Sequence, residues 1–201
     1  MTLLEGFGIA EINNEIFSRI AGKSYKVNCS VPLGDLRYLE LLHKNLRGEI
    51  LRGEMICNER IAADVLEIFK KLFAAGYPIE KVRLIDEYDA DDELAMRDNN
   101  SSSFNFRFVS FTNRISLHGC GLAVDINPLY NPYIKTVDGK KIIAPDNSAD
   151  FEDRDKNFPY KITADDLCCR LFKEHGFLWG GDCWDDEKDY QHFFIEEGIV
   201  R

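Results

Sequence analysis

Basic charge is what this sequence has too little of. Its 201 residues carry 25 Lys plus Arg against 35 Asp plus Glu, a formal net charge of -10. A chain of this sign lacks the basic footprint that nucleic-acid phosphates require, and it would be repelled by an anionic lipid surface. Long apolar runs are also missing: no stretch approaches the roughly 18 to 20 residues of a transmembrane helix. None of the six cysteines (Cys29, Cys57, Cys120, Cys168, Cys169, Cys183) forms a CxxC pair, which disfavours a zinc knuckle or a thioredoxin-type site. The even count permits disulfides, but a chain of this length does not need them to fold. No internal repeat occurs, and the one polar tract is Asn99 to Ser103. What is present is a core: 45% hydrophobic and 12% aromatic residues exclude disorder over the whole chain.

The pattern along the chain predicts an α+β protein, a small antiparallel sheet with flanking helices and a helical addition at the N-terminus. Residues 1–55 form that addition and residues 56–201 the main domain. Asp35 as a cap with Leu36, Leu39, Leu42 and Leu46 at helical spacing predicts a helix over 35–46, with His43 on it as a structural histidine. Asn58 caps a second helix over 59–75, stopped by Gly76 and Pro78. Residues 81–85, 103–109 and 121–126 read as strands, the second with Phe104 and Phe106 on one face and Asn105 and Arg107 on the other. Residues 127–160, rich in Pro, Asn, Asp and Tyr, read as a long excursion or hairpin of the sort that shapes a binding site. Thr163 and Asp166 resemble a capping box opening a helix that buries Cys168 and Cys169 and ends at His175 and Gly176. Strands and tight turns fill 177–194.

With His43 and His175 read as helix residues, only two of the four histidines remain. His118 stands seven residues before Asp125, with Gly119 and Gly121 between them to let the backbone bend. His192 stands three residues after Asp189. Catalytic zinc takes three protein ligands from His, Asp or Glu and keeps a fourth position open, and His118, Asp125 and His192 supply that set. Asp189 is then near enough to accept a proton from the attacking water. The competing interpretation is structural: His118 donates to a buried carboxylate, and His192 sits elsewhere.

Ser116, His118, Gly121, Ala123 and Asp125 spell SxHxxGxAxD, which resembles the first zinc motif of the M15 metallopeptidases. That family comprises the VanY- and VanX-type D-alanyl-D-alanine carboxypeptidases and dipeptidases and the related L-alanyl-D-glutamate endolysins. The run Gly176 to Asp182, followed by Asp189-Tyr190-Gln191-His192-Phe193, resembles the family's second motif in the expected order. The likeness spans about residues 80–195.

The resemblance implies an M15/Hedgehog-type core that binds Zn2+ through His118, Asp125 and His192, with Asp189 as general base where many members have Glu. It implies that Ser116 lines the substrate site and that Arg107 polarises the scissile carbonyl, with Arg114 as the competing arginine. Trp179 would wall the site, with a core tryptophan of the α+β domain as an equal reading, and Asp182 would hold a zinc histidine in its tautomer. The implied activity is hydrolysis of the peptidoglycan stem peptide, foremost as a D-Ala-D-Ala carboxypeptidase. The alternatives are an L-Ala-D-Glu-type endopeptidase or an inactive zinc-bearing wall-binding module. The expected protein is a monomer without nucleic-acid partners. Such a substrate lies outside the cytoplasm. The first 26 residues contain no signal peptide, so either a leader has been removed or the protein waits in the cytoplasm until lysis.

Overall fold

The computed structural model describes residues 6–109, 112–184 and 186–196. Its N-terminal part is a three-stranded antiparallel sheet, β1 (Gly8–Glu11), β2 (Leu36–Lys44) and β3 (Ile50–Asn58), in that order, with α1 (Asn14–Ile20) between the first two strands. α2 (Glu59–Ala75) follows β3 directly. Then come β4 (Lys81–Val82), α3 (Asp92–Arg97) and β5 (Asn100–Ser101), with β4 and β5 parallel. The remaining strands are β6 (Ala123–Asp125), β7 (Tyr133–Val137), β8 (Lys140–Ala144), β9 (Leu178–Trp179), β10 (Glu187–Asp189) and β11 (His192–Phe194), with α4 (Leu167–Glu174) before β9. They form two further antiparallel sheets, in the orders β10-β7-β8 and β6-β11-β9. The small antiparallel sheets with helices packed on them match the α+β expectation. No helix among the described residues is long and apolar enough to cross a membrane.

Helix α2 keeps its expected boundaries because both ends are chemically specified. The Asn58 side chain accepts from the Arg60 N–H, and Gly76 closes the helix at φ 70°, a left-handed conformation that costs glycine little. Its buried face of Ile61, Val65, Ile68, Phe69 and Leu72 packs into one cluster with Leu39, Leu41, Met55 and Cys57 from the N-terminal sheet and Val124, Phe172 and Phe193 from the C-terminal half.

Three local expectations are corrected. Residues 36–44 are the central strand β2, so the N-terminal part is a sheet carrying one short helix and is not a helical addition. The leucine spacing misled because β2 is covered on both faces: Leu39 and Leu41 join the α2 cluster, whereas Leu36 joins a second cluster with Ile16, Ile20, Ile56, Phe104 and Phe106. A doubly buried strand shows no alternation, so its leucines fit a helix equally well. A boundary at residue 55 would also fall inside β3. Residues 103–109 do keep their alternation, but not as a ladder strand. The N–H groups of Phe104, Asn105 and Phe106 go to Ile56, His118 and Ser24, three separate segments. α4 is capped by Asp166, whose carboxylate accepts the Cys168 N–H, and not by Thr163.

The excursion after residue 127 contains the hairpin β7–β8, turning at Asp138-Gly139. Half-buried Arg154 ties it to the body, donating to the carbonyls of Tyr130, Phe151 and Ile162 and to the Asn131 side chain, with its guanidinium 4.3 Å from the Tyr190 ring centroid. All six cysteines are free; Cys57, Cys168 and Cys169 are buried as small hydrophobes.

Candidate metal centre

His192 and Asp125 are opposite residues on the antiparallel pair β11–β6, which brings together positions far apart in sequence. His118 lies in the tight turn leading to β6. The Ser116 hydroxyl accepts the Gly119 N–H at 3.0 Å, and Gly121 takes φ 69°. Any side chain at 121 would meet the Asn58 backbone nitrogen at 2.8 Å, so this glycine serves both the turn and its packing against α2.

One ligand atom from each of His118, Asp125 and His192 lies within 4.8 Å of the other two. His118 Nε2 is 3.1 Å from His192 Nδ1 and 3.1 Å from Asp125 Oδ2, and His192 Nδ1 is 3.0 Å from Asp125 Oδ1. Donors on a tetrahedral zinc at about 2.0–2.1 Å lie roughly 3.3 Å apart, so the spacing fits. The protonation pattern fits as well. His118 Nδ1 lies 2.7 Å from the Ser103 carbonyl, which only an N–H can satisfy. With Nδ1 as the donor, Nε2 is the ring nitrogen that faces a second imidazole and a carboxylate. Two imidazole nitrogens and a carboxylate gathered this closely are a set that a cation could complete, and the Ser103 carbonyl is the outer support such ligands usually have. Burial disfavours the charged form of Asp125, yet the two imidazoles hold it well below the usual carboxylate range.

These residues sit in a cleft of about 390 Å³. Asp189, at the end of β10, also lines it. Burial pushes its carboxyl up to about 7, with His192 opposing the rise and Asp125 adding to it. Arg107 enters from the facing side, its Nη2 2.8 Å from Asp92 Oδ2 at the start of α3. Asp189 Oδ1, Arg107 Nη1 and Gln191 Oε1 are all buried, without a hydrogen-bond partner, and belong to residues lining this one cleft.

Ser116 and Arg114 line the cleft too, Ser116 with its hydroxyl engaged in the turn and Arg114 exposed. Two expected positions are corrected. Trp179 lies in the core, its indole N–H donating to the Tyr190 carbonyl at 2.9 Å. Trp184 lines the cleft instead, stacked on Phe194 with a 6° interplanar angle. Asp182 pairs with Lys173 at 2.5 Å, and the support expected of it comes from the Ser103 carbonyl. A backbone group carries no side-chain signature, so sequence could not have revealed it. Trp184 is the second of only two tryptophans, and residue type alone does not distinguish it from Trp179.

A three-donor cluster in an open cleft, with a spare carboxyl beside it, could hold a metal ion with one position left open. The model of a peptidase family described as D-alanyl-D-alanine carboxypeptidase matches residues 110–195, a segment containing the three donors and Asp189, and over that segment the chain is similar to M15-type peptidases. No curated protein and no solved structure matches the chain.

Proposed function

We propose that the protein is a zinc peptidase that hydrolyses the peptidoglycan stem peptide as a D-Ala-D-Ala carboxypeptidase and works outside the cytoplasm. The convergence of three lone-pair donors within the family-matched segment carries this reading. His118, Asp125 and His192 would hold the ion, whose contribution is Lewis acidity toward a carbonyl and a lowered pKa for water.

The protein's own groups divide the remaining work. Asp189 accepts the proton of the attacking water and returns it to the leaving amine. Burial raises this carboxyl in the metal-free protein, and a bound cation would draw it back toward the ionised form that accepts the proton. Arg107, anchored through Nη2 to Asp92, keeps Nη1 free to donate to the carbonyl oxygen as negative charge develops there. Trp184 and Tyr133 line the same cleft. The test is metal analysis together with mass spectrometry of digested muropeptides. One zinc per chain and loss of a single terminal alanine are expected. Absence of stoichiometric zinc would refute the metal centre, and cleavage between L-Ala and D-Glu would make the protein an endopeptidase instead.

A further inference from the structure

Gln191 lines the same cleft, is 2% exposed, and has no part in the proton transfer. Its main chain is committed to the fold, since its carbonyl accepts the Ile126 N–H at 3.0 Å. Its side-chain amide lies beside the Asp189 carboxyl and favours that group's ionised form. Toward the ionised carboxylate, which can only accept, the amide presents its NH2 group, and Oε1 is then the free end. That oxygen is buried and unpartnered. A buried acceptor without a donor weakens the fold, and such groups persist where something outside the chain completes them.

What completes it is constrained by chemistry. The missing partner must donate, and the cleft already offers a donor, Arg107 Nη1, for a carbonyl. A peptide main chain supplies both a carbonyl and an N–H. We infer that Gln191 is a specificity-determining residue whose Oε1 accepts a backbone N–H of the bound peptide beside the scissile bond, while Arg107 takes the carbonyl. The neutrality of the amide suits this place, because a second carboxylate beside Asp189 would repel it and would not keep a donor toward it.

The inference rests on the peptidase reading, and the experiment separates the two. Stem-peptide substrates are compared with analogues in which one non-scissile N–H at a time is replaced by an ester oxygen, using the zinc-loaded protein and Gln191→Leu. With the unaltered protein, one analogue should lose roughly tenfold to a hundredfold in kcat/KM. Gln191→Leu should lose a similar factor on the parent peptide and nothing further on that analogue. Should the leucine variant fail to fold, Gln191→Met fills a similar volume with an unbranched chain and must give the same pattern. If every ester costs both proteins equally, or the variant slows all substrates by one common factor, Gln191 does not read a peptide N–H and the inference fails. If the unaltered, zinc-loaded protein cleaves no stem peptide at all, the peptidase reading falls and takes this inference with it.

Discussion

His192 and Asp125 face each other across two antiparallel strands, Nδ1 to Oδ1 at 3.0 Å, with His118 Nε2 closing the triangle. The triangle is held by strand register and by one tight turn, so each vertex depends on backbone that the others share.

Removing a vertex should therefore abolish metal binding without unfolding the chain. His192→Ala and Asp125→Ala are each expected to reduce zinc from one equivalent to a small fraction, read by atomic absorption after dialysis. Far-UV circular dichroism should change little, because the main core cluster of α2, β2 and β11 contains neither side chain.

Asp189→Asn should leave zinc bound and lower kcat by at least a hundredfold, since the amide cannot carry the proton. Its effect on the metal-free protein has a defined sign. The folded carboxyl titrates at about 7 and the unfolded one near 3.9, so the folded state prefers the protonated form. Stability contributed by this group is fully present below about pH 4 and is lost as pH rises through about 7. Urea titrations in chelator should show that decline, on the order of a few kcal/mol, and Asp189→Asn should remove it.

Arg107→Ala should reduce kcat/KM by about a hundredfold, as loss of a preorganised donor to a developing oxyanion does. Asp92→Asn leaves the guanidinium present but untethered, and a smaller loss of about tenfold is expected. Equal losses in the two variants, measured by steady-state kinetics, would show that the tether is the whole contribution.

Arg154→Met should destabilise the protein by about 3 kcal/mol in thermal or urea denaturation, because three acceptors on the 127–160 excursion and the Ile162 carbonyl lose their shared donor.

Gly180→Ala tests how tightly the second motif is built. A Cβ there would meet the Asp189 carbonyl oxygen at 2.5 Å and the Asp189 Cβ at 2.9 Å. Backbone must shift at the proposed base, so activity should fall more steeply than melting temperature.

How much of this was legible in the chain depended on whether the information was local. Helix α2 could be delimited because its cap, its apolar face and its closing glycine are all sequence features acting within a few residues. The three donors could be named because residue type and spacing, joined to a family likeness, restrict the choice sharply in a chain with four histidines. β2 was misread because its burial on both faces erases the periodicity that distinguishes strand from helix. Trp179 and Trp184 could not be assigned correctly, since which of two nearby tryptophans enters the core depends on the turn between β9 and β10.

The sequence by itself determined the composition of the site: two imidazoles, two carboxylates and a guanidinium, in an acidic chain with a sufficient core. Tertiary structure decided their roles, because those follow from distance and burial. The cross-strand pairing of His192 with Asp125, the Ser103 carbonyl that sets the His118 tautomer, and the unpartnered Gln191 oxygen all depend on contacts between segments far apart in the chain. Asp125 and Asp189 are the same residue type, yet one is held anionic by two imidazoles and the other is raised by burial. That difference lies in their surroundings, which only the folded chain assembles.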